Sequence, residues 1–179
     1  MKKAFTMIEL VFVIVVIGIL AAVVIPNTRT NPVYEAATQL ISHIRYAQHL
    51  AMVDDKFDAN NANWHRNRWQ IRFGGNQYSI SSNNNTVFAK NPMNADNNLS
   101  NIDLNAKYST TVNLTGCVGG LISFDHLGRP MLGDLSGNTS AYVTGQLISN
   151  SVGCVINLTG GTESVNIKIE PETGYVHII

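Results

Sequence analysis

Hydrophobic and polar positions divide the chain into three regimes. Leu10 to Ile25 runs without a charge or a strongly polar side chain, and Phe5 to Ile8 extends the apolar stretch on the far side of Glu9. Together they approach the roughly 20 residues that a helix needs to span a bilayer. From Val33 the pattern changes. Val33, Ala37, Leu40, Ile44, Ala47 and Ala51 recur at spacings of three and four, with Ala36, Ile41 and Gln48 beside them. That spacing predicts an amphipathic helix of about 20 residues. Asn31 followed by Pro32 reads as a helix start, with proline at the first helical position. A single long helix that bends at Pro26 and Pro32 fits the same residues.

Asp54 to Asn67 breaks the helical period and holds Asn60, Asn61 and Asn63, so it reads as the loop leaving the helix. Beyond it the period falls to two. Strands are expected at Trp69 to Phe73, Gln77 to Ser81, Thr86 to Ala89, Thr110 to Leu114, Leu121 to Phe124, Cys154 to Leu158, Val165 to Ile169 and Tyr175 to Ile179. Pro171-Glu172-Thr173-Gly174 supplies turn residues between the last two, which predicts a C-terminal hairpin. The order of elements predicts an α+β fold in which the amphipathic helix covers one face of an antiparallel sheet.

A chain of 179 residues with 45% hydrophobic content can bury one modest core. The 12 basic side chains balance 12 acidic ones, so no general attraction for nucleic acid or anionic lipid follows. The charged fraction of only 13%, with frequent Asn and Gly, suits an extracytoplasmic surface of polar loops and strands. Lys2 and Lys3 precede the apolar run, which places the N-terminus in the cytoplasm and everything after Pro26 outside. The run exceeds the usual h-region of about 7 to 15 residues and no small-residue cleavage site follows it, so an anchor is expected rather than a removable signal.

Glu9 is the informative residue of this segment. An ionised carboxylate in a membrane helix costs on the order of 2.5 to 3.5 kcal/mol at the bilayer centre, so it calls for a partner. A free amine on a neighbouring subunit would serve, and cleavage before Phe5 would create one. The alternative is a carboxylate solvated in the headgroup region of an ordinary single-span anchor.

Lys2-Lys3-Ala4-Phe5-Thr6-Met7-Ile8-Glu9-Leu10 resembles the prepilin leader junction of type IV pilins and type II secretion pseudopilins. The resemblance covers about the first 30 residues. It implies cleavage between Ala4 and Phe5 by a prepilin peptidase, methylation of the new Phe5 amine, Glu9 as the intersubunit carboxylate and Pro26 as the helix-bending proline. Ala4 departs from the glycine usual before the cut. Looser similarity to the GspH-like and FimT-like minor pseudopilins runs through Leu40 to Met52, Ile122 to Pro130 and Ile167 to Val176.

The family implies a pilin fold: one long N-terminal helix, half membrane-spanning and half amphipathic, packed on an antiparallel sheet. The corresponding division is a leader at 1–4, an assembly helix at 5–30, an amphipathic helix at 31–57 and a β-rich domain at 58–179. The implied location is the bacterial inner membrane, single-pass with a periplasmic domain, passing into a pseudopilus or pilus. Expected partners are other pilin or pseudopilin subunits, the prepilin peptidase, the inner-membrane assembly platform, membrane lipid and secreted cargo. The expected function is that of a structural minor pseudopilin of a type II secretion-like apparatus. The alternatives are a minor pilin of a type IV pilus or DNA-uptake machine, and a membrane-tethered periplasmic binding domain that never assembles.

Cys117 and Cys154 are an even pair in a domain expected to be exported, which permits one disulfide. Closing that loop of about 38 residues would stabilise the domain by roughly 3 to 4 kcal/mol. Buried free thiols and a metal site are the alternatives, although His43, His49, His65, His126 and His177 show no paired spacing with either cysteine. No cofactor is expected. Asp125, Asp134 and the stretch Asn94 to Asp103 read as solvated turn residues rather than a calcium cage.

Trp64-His65-Arg66-Asn67-Arg68-Trp69 combines cations with aromatics, which suits either base stacking or packing at the start of a strand. The closing Gly174-Tyr175-Val176-His177-Ile178-Ile179 lacks the arginine-rich motif of DNA-binding FimT-like pilins. Asp125, His126 and Arg129 have no accompanying nucleophile, so no enzyme is expected. Finally, Asp96-Asn97-Asn98-Leu99-Ser100 fits an acidic-extended N-glycosylation acceptor, among several plain Asn-x-Ser/Thr matches.

Overall fold

A computed structural model describes residues 6–24, 31–132, 140–142 and 153–179. They fall into two compact units, Met1–Asn31 and Pro32–Ile179.

The first unit holds helix α1, Met7–Val24. Glu9 stands in its first turn, so the uninterrupted apolar part is Leu10 to Val24, about 22 Å long at 1.5 Å per residue. A hydrocarbon core measures about 30 Å. Among the described residues no helix is long and apolar enough to cross a membrane, which corrects the expected inner-membrane, single-pass placement.

The expected fold is corrected as well. Among the described residues no long N-terminal helix forms on a sheet; α1 and the amphipathic helix α2, Pro32–Val53, are separate elements of separate units. Proline at the first position of α2 has no N–H to continue a helical ladder, and it biases Asn31 away from helical torsions. The described residues make three α-helices and twelve strands in several sheets, in place of one long helix on one sheet.

In the second unit the strands are β1 Gln70–Gly74, β2 Gln77–Ser82, β3 Val87–Phe88, β4 Lys90–Asn91, β5 Asn94–Asn98, β6 Ile102–Asp103, β7 Thr111–Thr115, β8 Leu121–Phe124, β9 Pro130–Leu132, β10 Cys154–Gly160, β11 Glu163–Ile169 and β12 Val176–Ile178. A short helix α3, Leu104–Tyr108, lies between β6 and β7. One sheet has the order β3-β2-β1-β8-β9 with β6 beside β2; a second runs β12-β11-β10-β7; β4 and β5 form a separate hairpin. Every pairing is antiparallel.

Helix α2 buries Val33, Ala36, Ala37, Leu40, Ile41, Ile44, Ala47 and Ala51, the stripe its period predicts, and meets strands of both main sheets. Alternation in β10 turns Cys154, Ile156 and Leu158 inward, where Ile167 and Ile169 of β11 join them. Tyr78, Ile80, Ile71 and Phe124 close the core from the other sheet. Each such side chain contributes roughly 1.5 to 3 kcal/mol of transfer free energy.

The hairpin of Val165 to Ile169 with Val176 to Ile178 forms as the sequence predicts, in the register Ile167↔Ile178 and Ile169↔Val176. By contrast, Asn94 to Asp103, read from sequence as turn residues, makes β5 and β6. Its side chains carry no apolar alternation, so only backbone pairing, Lys90↔Asn98 and Asn91↔Asn94, defines β5.

Two turns are stitched to α2 by one side chain. Gln48 Nε2 donates to Gly128 O at 2.8 Å and to Thr173 O at 3.0 Å. Gly128 (φ +78°) and Gly174 (φ +64°) both occupy the left-handed region beside it.

Candidate functional site

Helix α1 begins with a cap that its sequence encodes. Glu9 N donates to Thr6 Oγ1 at 3.3 Å, and Glu9 and Leu10 amides also reach Thr6 O. Thr6-Met7-Ile8-Glu9 is the spacing of a capping box, which puts Glu9 at the third helical position. A carboxylate there complements the positive end of the helix dipole. Glu9 therefore has a local role that sequence analysis missed, although the Thr-x-x-Glu spacing signals it. Beyond Glu9, α1 exposes apolar side chains on every side: Phe12 69%, Ile14 58%, Ile17 58%, Ile19 61% and Leu20 58%. Ala4, Phe5 and Pro26 lie outside the described residues.

A cleft of about 490 Å³ opens between α2, α3 and the β4–β5 hairpin. Gln39, His43 and Lys107 stand on one wall and Asp96, Asn98 and Ser100 on the other. Behind the first wall runs a polar chain. Lys107 Nζ donates to Gln39 Oε1 at 2.6 Å, and Tyr108 OH donates to the same oxygen at 2.8 Å. An ammonium can only donate, so the amide orientation of Gln39 is fixed, and its Nε2 donates to Tyr78 Oη at 3.1 Å. Tyr78 Oη also lies 2.7 Å from His43 Nδ1, a hydrogen bond whose donor depends on the imidazole tautomer.

Burial, then the Lys107 charge, lowers the His43 pKa, while burial raises that of Tyr78. Both shifts favour the neutral pair. The sequence signal for His43 was its place in the apolar stripe, between Leu40 and Ala47; Tyr78 and Lys107 are too remote in sequence to have been linked to it.

A pH dependence follows. The unfolded imidazole titrates near 6.5 and the folded one lower, so stability is complete above that value and declines as pH falls through it towards the folded pKa. Urea unfolding of the wild type should show a midpoint that drops between pH 7.5 and pH 5. His43→Phe, which keeps ring volume and removes the titration, should flatten that slope. An equal slope in both proteins would remove His43 as its source. Asp54, lowered chiefly by its Lys56 hydrogen bond, and Asp103, lowered chiefly by the Ala106 amide, act only in the more acidic carboxylate range.

Cys117 and Cys154 form a disulfide, with Cα atoms 4.9 Å apart. The bridge links the loop after β7 to the first residue of β10. Bridges of this kind persist in oxidising compartments.

In the segment Trp64 to Trp69 the second arginine is buried rather than offered, while Arg66 is half-buried. Arg68 is 3% exposed, and its guanidinium carbon lies 4.8 Å from the ring centroids of both Trp64 and Tyr142. Its Nη1 donates to Ala141 O at 2.8 Å. Desolvation lowers its pKa, and the ring faces stabilise the charge. Trp69 Nε1 donates to Asp54 Oδ2 at 2.9 Å. These contacts pack the start of β1 and leave Arg68 out of reach of a phosphate.

Asp125, 1% exposed, organises the following turn. Its Oδ1 accepts from the Leu127 and Arg129 amides, and its Oδ2 pairs with Arg129 Nε at 2.7 Å. Three hydrogen bonds from the turn thus engage its two oxygens. Among the described residues no group of three or more His, Cys, Asp or Glu is placed to hold a metal ion. Compared with protein-family models, curated proteins and solved structures, the chain matches none.

Proposed function

We propose that this chain is a structural subunit of a pseudopilus-like filament of the type II secretion class, joined to its neighbours through α1. The observation that carries this reading is the exposure of apolar side chains around the whole circumference of α1. A helix apolar on one face packs against one surface; a helix apolar on all faces needs apolar neighbours all round, as in the centre of a bundle. Copies of the same helix supply them.

The leader resemblance of residues 2–10 adds the processing step, in which a prepilin peptidase cuts after Ala4 and the Phe5 amine of one copy faces Glu9 of the next. A new amine and a carboxylate at helix N-termini form a charge-assisted pair. The second unit is then a passenger that meets other subunits or cargo. The same α1 surface serves a minor pilin of a type IV pilus or DNA-uptake machine equally well.

Two measurements test the proposal in the native cell. Intact mass of the purified protein should show loss of residues 1–4 and one added methyl group. Cysteine introduced in α1 by Ile14→Cys should give cross-linked dimers with a bifunctional maleimide, and Glu9→Ala should reduce them at least fivefold. An uncut N-terminus, or an Ile14→Cys protein that stays monomeric, would overturn the assembly reading. Deletion of the gene should abolish exoprotein release and leave natural transformation intact; the reverse result assigns the DNA-uptake machine.

A further inference from the structure

The β4–β5 hairpin carries a feature that filament assembly does not use. Of the sequons Asn84-Asn85-Thr86, Asn98-Leu99-Ser100, Asn113-Leu114-Thr115, Asn138-Thr139-Ser140 and Asn157-Leu158-Thr159, only that of Asn98 has an acidic residue two positions before the asparagine, Asp96. We infer that Asn98 is a modification site: an N-glycan acceptor for an oligosaccharyltransferase that reads Asp96, Asn98 and Ser100 together.

The backbone presents these three groups on one accessible rim. Asp96 and Asn98 are both exposed, and as alternate residues of β5 they share a face of the strand. Asp96, Asn98 and Ser100 line the same cleft of about 490 Å³, which leaves room for a first sugar at the attachment point. Leu99 between them points the other way, 1% exposed, and its backbone fixes the hairpin base: Leu99 N donates to Ala89 O at 2.7 Å and Ile80 N donates to Leu99 O at 2.8 Å. The acceptor is thus held extended at the edge of a pinned hairpin, with its carboxylate, amide and hydroxyl outward.

The other sequons lack this presentation. Asn157 Nδ2 is already engaged by Asn166 Oδ1 at 2.7 Å and Ser164 Oγ at 2.9 Å. Asn113 is exposed on the edge strand β7 but has Thr111, not a carboxylate, two positions before it. Asn84 has φ +54° within a tight turn, and Asn138 lies outside the described residues. The disulfide adds an independent indication that the domain matures in an oxidising compartment, where lipid-linked oligosaccharides are used.

The transfer balances without a redox partner. Asn98 Nδ2 attacks the anomeric carbon of a sugar borne on a polyprenyl diphosphate. The carbon–oxygen bond to the diphosphate breaks, its electron pair leaves on the diphosphate, and one Nδ2 proton passes to a base of the transferase.

The test uses the full chain, purified from cells that contain such a transferase, its polyprenyl-linked oligosaccharide and a control acceptor protein. Trypsin should release the segment from Asn91 to Lys107 carrying the mass of one oligosaccharide. The addition should vanish in Asn98→Gln and in Ser100→Ala and fall at least tenfold in Asp96→Asn. An unmodified segment beside a glycosylated control would overturn the proposal, as would a glycan on Asn113 or Asn157 or full modification of the Asp96→Asn protein. The result is independent of α1 assembly, which is read from cross-linking.

Discussion

Reduction of the Cys117–Cys154 bridge is expected to lower the unfolding free energy of the Pro32–Ile179 unit by about 4 kcal/mol, the chain-entropy value for a sequence separation of 37. The size of the effect follows from where the bridge sits. Cys154 is fully buried at the head of β10, the strand that pairs with both β7 and β11, and Cys117 follows β7 by two residues. The bridge therefore restricts the unfolded chain while fastening two neighbouring strands in the folded one. For a unit of this size a loss of that order should depress Tm by roughly 8 to 16 °C. Paired melts of oxidised and reduced wild type, without any substitution, make the comparison. A difference under about 3 °C would show that the core alone determines the stability of this unit. The Cys117→Ala, Cys154→Ala double variant should reproduce the reduced protein and be insensitive to reductant.

The second large effect is expected at Gly174. Its φ of +64° is one that side-chain-bearing residues adopt at a cost, and a Cβ there would stand 2.6 Å from Gly128 O and 2.8 Å from Gln48 Nε2. A backbone carbonyl and the Gln48 side-chain amide both lie in the way. Gly174→Ala must therefore separate the two turns that Gln48 holds to α2. A loss of about 3 to 4 kcal/mol is expected in urea unfolding. Gly75 supplies the control, with φ +62° and no heavy atom within 4 Å of its hypothetical Cβ. Gly75→Ala should cost only about 1 to 2 kcal/mol, the torsional part alone. Equal losses in the two variants would mean that the turns yield without strain and that the contact at Gly174 is unimportant.

The elements that sequence reveals are those whose burial follows a period. Helix α2 shows its apolar stripe at spacings of three and four, and the structure buries those same residues. The eight strands read from alternation all form, within a residue or two at their ends. The strands that escaped are β4, β5 and β6, short or exposed so that burial does not select their residues, and β9, which buries Pro130 and Met131 but is too short to show a period. Hydropathy alone also overstated the N-terminal segment. It counted side chains on both sides of Glu9, whereas the helix starts at Met7 and puts that carboxylate in its first turn.

The same contrast holds for the candidate site. The cysteine pair was visible as a possible bridge, and the Trp64 to Trp69 cluster as a conjunction of cations and rings. What could not be read was the partner that decides the cluster's role. Tyr142 closes the sandwich around Arg68 from more than seventy positions away, a separation no local motif spans. The chain from Lys107 to His43 is hidden for the same reason, since its members come from α2, β2 and α3.

That chain has a directional consequence. Four side chains join an ammonium at the rim to an imidazole beneath it, and the ammonium leaves only one orientation open to the amide that follows. The orientation of dipoles inside this wall is dictated from its surface. The amide of Gln39, and with it the hydrogen offered to Tyr78, is thus turned by a lysine that the histidine never touches.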